Sequence, residues 1–339
     1  MNAAQDAAKD AAQDAIRDGH PRLAVVQPQG FPFNTGRALD EVERWSREAA
    51  RQGADLVLFP EAFLGGYPWG LRFGTVLGGR TEAGRRLFQR YRNAAITVPG
   101  PETQRMCELA AELDITLAVG VVERDRYPGA ATLYCTLLLL GSDGSILGKH
   151  RKVKPTAAER LVWGEGDGST LPVVDTPLGR VGGLICWENY MPMARMALYG
   201  KGVEIYLAPT ADARDRWQAT LTHIALEGRC YVLGCNQIVH RGDFPSHEDV
   251  AAELAEAPEI LCRGGSAIYG PDGSCLAGPL YDETGLLLVE MDPGAIHRGK
   301  LDFDVVGHYA RPDLFQLEVD ETPRPPVRYR GMPESPSHD

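Results

Sequence analysis

Glu61, Lys152 and Cys186 are an acid, an ammonium and a thiol, each placed where an apolar or hairpin-like run gives out. Glu61 follows Leu56-Val57-Leu58-Phe59-Pro60, Lys152 closes a hairpin pattern, and Cys186 tops the run Gly182-Gly183-Leu184-Ile185. Together these types supply what covalent attack on an electrophilic carbon needs. The carboxylate takes a proton, the cation stabilises charge built up on the substrate, and the thiol is a soft nucleophile. Singly, each has a plainer reading. Free cysteines mostly serve as small buried hydrophobes. Glu61 reads equally well as a loop carboxylate, and Lys152 as one of a solvated basic cluster with Lys149, His150, Arg151 and Lys154. Pro192 suits a first helical turn, so Cys186 is expected between a strand and a helix N-terminus, where aligned N–H groups favour a thiolate.

The elements that must carry these groups alternate in type. Residues 23–27 and 56–59 read as short buried strands, joined by an amphipathic helix over 35–52 in which Leu39, Val42, Trp45 and Ala49 recur at helical spacing. That strand–helix–strand unit predicts an α/β protein, whose function gathers just past the strands' carboxyl ends. A helix over 101–113 and a strand over 116–122 follow. Residues 133–140 and 146–153 flank Ser142-Asp143-Gly144-Ser145 as a hairpin, and a second hairpin leads to Cys186. Beyond it the pattern predicts a helix over 193–199, a strand over 203–207, a helix over 215–227 and a strand over 230–236. One short surface helix is expected within 241–263, and further strands at 265–269 and 286–291. No linker interrupts the middle, so one α/β domain over residues 22–318 is expected. Ala-rich residues 1–21 form a fraying extension and Pro-rich residues 319–339 a tail.

Composition sets the outer limits. Of 339 residues, 44% are hydrophobic and 24% charged, as in an ordinary soluble globular protein. A net charge of −11 argues against a nucleic-acid partner, and no apolar run reaches membrane-spanning length. The start of the chain lacks the layout of a secretory signal. Seven cysteines without disulfide rhythm fit free thiols in a reducing cytoplasm; Cys230 and Cys235, separated by a strand-like Tyr-Val-Leu-Gly, read as core thiols and not as a metal pair. The eight histidines show no ligand spacing. Gly164-Glu165-Gly166-Asp167-Gly168 has acidic residues that would repel a phosphate. GxxxxGK[ST], GxSxG and HExxH are absent.

Three stretches, FPEAFLGGYP around Glu61, HRKVKPTAAERLVWGEGDG around Lys152 and GRVGGLICWENYMP around Cys186, resemble the nitrilase superfamily in the right order. The resemblance covers about residues 22–318 and matches that family's Glu-Lys-Cys triad position by position. Cys186-Trp187-Glu188-Asn189, Pro155-Thr156-x-x-Glu159-Arg160 and Gly307-His308-Tyr309-Ala310-Arg311-Pro312-Asp313 look like its true nitrilase branch; amidase branches usually carry tyrosine and aspartate after the cysteine. The resemblance implies a four-layer αββα sandwich and a homo-oligomer, with a dimer as the building block of spirals or filaments. It also implies Glu159 as a second carboxylate near the triad, and no metal or organic cofactor.

The activity so implied is hydrolysis of an organic nitrile to a carboxylic acid and ammonia, through a thioimidate and a thioester on Cys186. Glu61 is the expected base. Lys152, with the Trp187 N–H, would stabilise the nitrogen anion, and Lys152 with the helix N-terminus would lower the thiol's pKa. Tyr67, Trp187, Glu188 and Tyr190 are the expected substrate-binding residues, with Trp69 and Trp217 as further aromatic candidates. Arylacetonitriles or aliphatic nitriles are the expected substrates. Two other products of the same fold stay open, amide hydrolysis and nitrile hydration to the amide, as does an inactive scaffold.

Overall fold

The computed structural model describes residues 20–127 and 129–327. Among these the strands are β1 (Arg22–Gln27), β2 (Leu56–Leu58), β3 (Thr75–Val76), β4 (Gly79–Arg80), β5 (Ile96–Thr97), β6 (Thr116–Arg124), β7 (Leu133–Leu140) and β8 (Ile146–Arg151) in the first half. The second half holds β9 (Val173–Thr176), β10 (Gly179–Gly183), β11 (Ile205–Pro209), β12 (Tyr231–Cys235), β13 (Ile238–His240), β14 (Ile260–Tyr269), β15 (Cys275–Tyr281) and β16 (Gly285–Glu290).

Alternation along these strands builds the layers. In β1, Leu23 and Val25 point into one core while Ala24 and Val26 point into another, and Leu56 and Leu58 part from Val57 in the same way. Strands buried on both faces must be apolar almost throughout, which is why they read as runs. One sheet has the order β16-β1-β2-β6-β7-β8 with β5 beside β6; the other has β13-β14-β12-β11-β10-β9 with β15 beside β14. Each has a parallel centre, β1-β2-β6 and β10-β11-β12, flanked by antiparallel strands.

The two sheets share one core, where Leu23, Leu56 and Leu58 meet Val181, Ile205 and Leu233. Helices Thr35–Arg51 and Pro101–Leu113 cover the outer face of the first sheet through Leu39, Val42, Met106 and Leu109. Helices Pro192–Gly200 and Trp217–Gly228 cover the other through Leu198, Leu221 and Ile224. Helix, sheet, sheet and helix make the expected αββα sandwich.

Some local expectations change. The helix within 241–263 is Glu248–Leu254, and it is more than surface. Val250 and Leu254 are buried, and Glu253 accepts backbone N–H bonds from Arg72, Phe73 and Gly74 at 2.5, 2.9 and 2.6 Å. β15 escaped the sequence reading because it is a largely exposed edge strand carrying Pro279, which an edge tolerates. Residues 319–327 hold no helix or strand, yet Arg324 N–H donates to Asp167 Oδ2 at 2.7 Å. Most of the expected N-terminal extension (1–19) and the end of the tail (328–339) lie outside the described residues.

The parallel strands deliver Glu61 and Cys186 to one end of the sandwich, and Lys152 follows directly on β8. The Glu61 turn comes so close to β6 that a Cβ on Gly120 would lie 2.0 Å from the Pro60 carbonyl oxygen and 2.8 Å from Glu61 Cα. Gly120→Ala should therefore cost about 1–3 kcal/mol of stability, read as a lower urea midpoint; an unchanged midpoint would contradict this close approach.

Candidate active site

Lys152 is the centre of the site and is fully buried. Its Nζ donates to Glu61 Oε1 at 2.7 Å and to Glu159 Oε2 at 2.8 Å. An ammonium has three N–H groups, so one is left to face a reactant. Burial disfavours the charge on Lys152, but the surrounding carboxylates outweigh it and hold the ammonium's pKa well above its ordinary range. The backbone is fixed too, with Lys152 N–H bonded to the Cys135 carbonyl at 2.8 Å and Gly166 N–H to the Lys152 carbonyl at 2.9 Å.

Glu61 is the member most changed by its surroundings. Burial pushes its carboxyl up to about 7; Lys152 pulls the other way and Glu159 adds to the rise. Its Oε1 also accepts from the Cys135 thiol at 3.6 Å, while Oε2 makes no hydrogen bond of ordinary geometry. The Cys186 thiol acts on this carboxylate in the sense that favours its charged form. Gln237 Nε2 holds the Glu61 carbonyl at 3.0 Å.

Glu159 combines a structural and an electrostatic task. Oε2 accepts the Thr156 N–H at 2.6 Å as well as Lys152, and Oε1 accepts the Tyr67 hydroxyl at 2.7 Å. Burial and the Glu159 charge keep that hydroxyl protonated.

Cys186 stands on a tight turn. After β10 the chain enters a 3-10 turn, Cys186–Tyr190, with Cys186 itself at φ 52°, a left-handed conformation rarely taken by a residue with a side chain. The helix Pro192–Gly200 begins only afterwards. The expectation of a thiolate lowered by Lys152 and a helix N-terminus is reversed here. Burial first, then the Glu61 charge, pushes the Cys186 thiol far up, and the Lys152 charge only partly offsets them. The resting group is a neutral thiol beside a base.

Glu188, expected to bind substrate, is turned into the protein instead. Oε2 accepts the Ile185 N–H and faces His150 Nε2, both at 2.8 Å, and Oε1 accepts the Val153 N–H at 2.5 Å. It thus ties the residue before the nucleophile to the residue after the lysine. Burial opposes a charge on His150, but the Glu188 carboxylate prevails and raises its pKa; Nδ1 meets the Thr170 carbonyl at 2.6 Å.

The aromatic candidates divide. Tyr67 is part of the carboxylate network and packs at a tilt of 46° against Trp69, centroids 4.5 Å apart. Trp187 and Tyr190 are 39% and 42% exposed and form an edge-on series with Trp217, while the Arg214 guanidinium lies over the Trp187 ring, 5.0 Å from its centroid. Trp217 is buried core.

Residues that the sequence reading missed include Thr210, with Oγ1 3.1 Å from Cys186 Sγ, and Asn189, whose Nδ2 bonds the Leu184 and Cys186 carbonyls at 2.9 Å each. Cys135 and His150 are the others. None of them has a spacing in the sequence that marks it. Among the described residues no His, Cys, Asp and Glu group is suited to hold a metal ion, and no helix is long and apolar enough to cross a membrane.

The chain is similar to known proteins along most of its length. The carbon-nitrogen hydrolase family profile matches residues 22–300. The bifunctional nitrilase/nitrile hydratase NIT4A of Lupinus angustifolius is 51% identical over 312 residues, spanning 91% of this chain and 88% of its own. Nitrilase 3 of Arabidopsis thaliana is 50% identical over 312 residues, 91% and 89% of the two chains, and Nitrilase 2 of the same plant is 46% identical over 322 residues, 94% of each. In fold the chain is similar to Saccharomyces cerevisiae Nit3, a member of branch 10 of the nitrilase superfamily, at a TM-score of 0.65 with 20% identity over 86% of this chain and 97% of that one. The chain belongs to the carbon-nitrogen hydrolase family.

Proposed function

We propose that this protein is a nitrilase that hydrolyses an organic nitrile to a carboxylic acid and ammonia. The observation that carries the reading is the buried Glu61–Lys152–Glu159 network with the Cys186 thiol beside the Glu61 carboxylate. Trp187 after the cysteine and relatives named as nitrilases favour nitriles over amides as substrates.

Glu61 takes the Cys186 proton as sulfur attacks the nitrile carbon, and passes it to the nitrogen to give a thioimidate. The free N–H of Lys152 and the Trp187 backbone N–H stabilise charge on that nitrogen during attack. Glu61 then deprotonates a water that adds to the same carbon. Return of that proton to nitrogen gives a tetrahedral carbon bearing hydroxyl, amino and sulfur groups; transfer of the hydroxyl proton to the amino nitrogen then expels ammonia as the C=O forms and leaves a thioester, and a second water releases the acid and restores the thiol. If sulfur leaves the tetrahedral intermediate instead of nitrogen, the product is the amide. Several relatives are named bifunctional nitrilase/nitrile hydratase, which supports amide as a second product here.

Tyr67, Trp187 and Tyr190 are the side chains we assign to the substrate, with arylacetonitriles or aliphatic nitriles as its class. Glu188 we assign to positioning, since its oxygens are engaged within the protein. The chain from 22 to 318 we treat as one catalytic domain. Its cysteines, all free among the described residues, support a reducing, cytoplasmic setting, and exposed Leu314 and Phe315 support self-association.

Ammonia and amide release from a panel of nitriles and amides tests the reading. The expected result is acid and ammonia from nitriles, some amide alongside, and loss of turnover in Cys186→Ala by at least about 10³-fold. Amide as sole product, or turnover preserved without the thiol, would overturn it.

The base must be ionised to act, so kcat/KM should rise with pH through about 7 and level off above it. Stability runs the other way. The folded carboxyl keeps its proton where the unfolded chain has released it, so this group's stabilising contribution is lost as pH rises through about 7. A pH–rate profile flat across that range would remove Glu61 as the base.

A further inference from the structure

The hydroxyl of Thr210 is buried at the end of β11 and directed by its neighbours. Thr210 N–H bonds the Cys235 carbonyl at 2.8 Å, which fixes the backbone. A hydroxyl offers one hydrogen and two lone pairs. The Asp212 N–H points at Oγ1 from 3.0 Å and occupies a lone pair. The other partner is Cys186 Sγ at 3.1 Å, so the hydroxyl hydrogen is aimed at sulfur. Asp212 is itself held, its carboxylate accepting Trp187 Nε1 at 2.9 Å and pairing with Arg214.

We propose that Thr210 is a further catalytic residue, donating a hydrogen bond to Cys186 Sγ that stabilises the thiolate formed during attack. A hydrogen bond to an ionised acceptor is stronger than one to its neutral form, so the contact favours thiolate over thiol. It also occupies one side of the sulfur and leaves the thiol hydrogen to face Glu61. The site needs this help because burial and the Glu61 charge hold the thiol protonated and the helix N-terminus begins too late in the chain to reach it. The plainer role of the same hydroxyl is a local turn, in which accepting the Asp212 N–H is its whole task. The proposal rests on Cys186 being the nucleophile.

The test compares the unchanged chain with Thr210→Val, which keeps shape and loses the hydroxyl, and Thr210→Ser, which keeps the hydroxyl. Two readouts run in parallel: the pH dependence of iodoacetamide alkylation at the Cys186 peptide, and nitrile turnover. Thr210→Val should slow Cys186 alkylation at neutral pH by roughly 10- to 100-fold, the size of one hydrogen bond to a charged group. Its rate profile should move to higher pH, with kcat falling in proportion and KM little changed. Thr210→Ser should restore both. An unchanged alkylation profile in Thr210→Val overturns the proposal, and so does Thr210→Ser being as impaired as Thr210→Val. If Thr210→Val fails to fold by circular dichroism, Thr210→Ala takes its place in the same comparison. Alkylation does not depend on nitrile turnover, so failure of Thr210 is separable from failure of the nitrilase reading, which Cys186→Ala reports.

Discussion

One ammonium buried between two carboxylates governs the rest of the site. Stripping three ions of water costs several kcal/mol each, and the cost is offset only by close, well-aligned pairing. Lys152 meets both partners within 2.8 Å, and each carboxylate has further donors, Cys135 for Glu61 and both Thr156 and Tyr67 for Glu159. The sum still leaves one negative charge in excess. Burial raises Glu61 toward neutrality, with Lys152 offsetting part of the rise and Glu159 adding to it, and this makes Glu61 a base of useful strength. The network therefore dictates where the β2 end, the β7–β8 hairpin and the Glu159 turn must meet. Losing Lys152 would strand two buried carboxylates.

The same constraint explains the nucleophile's surroundings. A thiol that is buried, and beside the Glu61 charge, stays protonated, so attack must be coupled to proton transfer and cannot draw on a preformed thiolate. Geometry has to supply what charge does not. Cys186 sits in a left-handed conformation that costs about 1–3 kcal/mol, and Ala62, directly after Glu61, is left-handed as well. Glu188 and Asn189 hold that turn from inside, and Glu188 also reaches Val153 beside Lys152. Nucleophile and cation are thus set by one shared carboxylate. Thr210 approaches from a third strand.

Much of this was legible in the sequence because apolar runs mark the strands, and Glu61, Lys152 and Cys186 stand where those runs end. The four layers came from family resemblance, since periodicity identifies a strand but does not say which sheet it joins. Glu188 was misassigned for a physical reason. Two residues past the nucleophile in sequence, it reads as a substrate group, yet as the third residue of the 3-10 turn its carboxylate folds back onto the Ile185 N–H just before that turn. The thiol's protonation was misjudged because burial, which outweighs Lys152, is invisible in a string of residues. Thr210 reaches the site through the pairing of β11 with β10, and His150 through the packing of one sheet against the other, and a lone hydroxyl or imidazole carries no spacing signal. Cys135 looked like core and lies beneath Glu61.

The most direct measurement is rapid acid quench of the enzyme with a nitrile substrate during turnover, followed by mass mapping of the thiol peptides. The predicted result is a covalent substrate adduct on the Cys186 peptide alone, absent in Cys186→Ala. Two thiols lie close to the Glu61 carboxylate, so the site of the adduct is decisive. Turnover with no adduct at Cys186, or with the adduct on Cys135, would contradict the account.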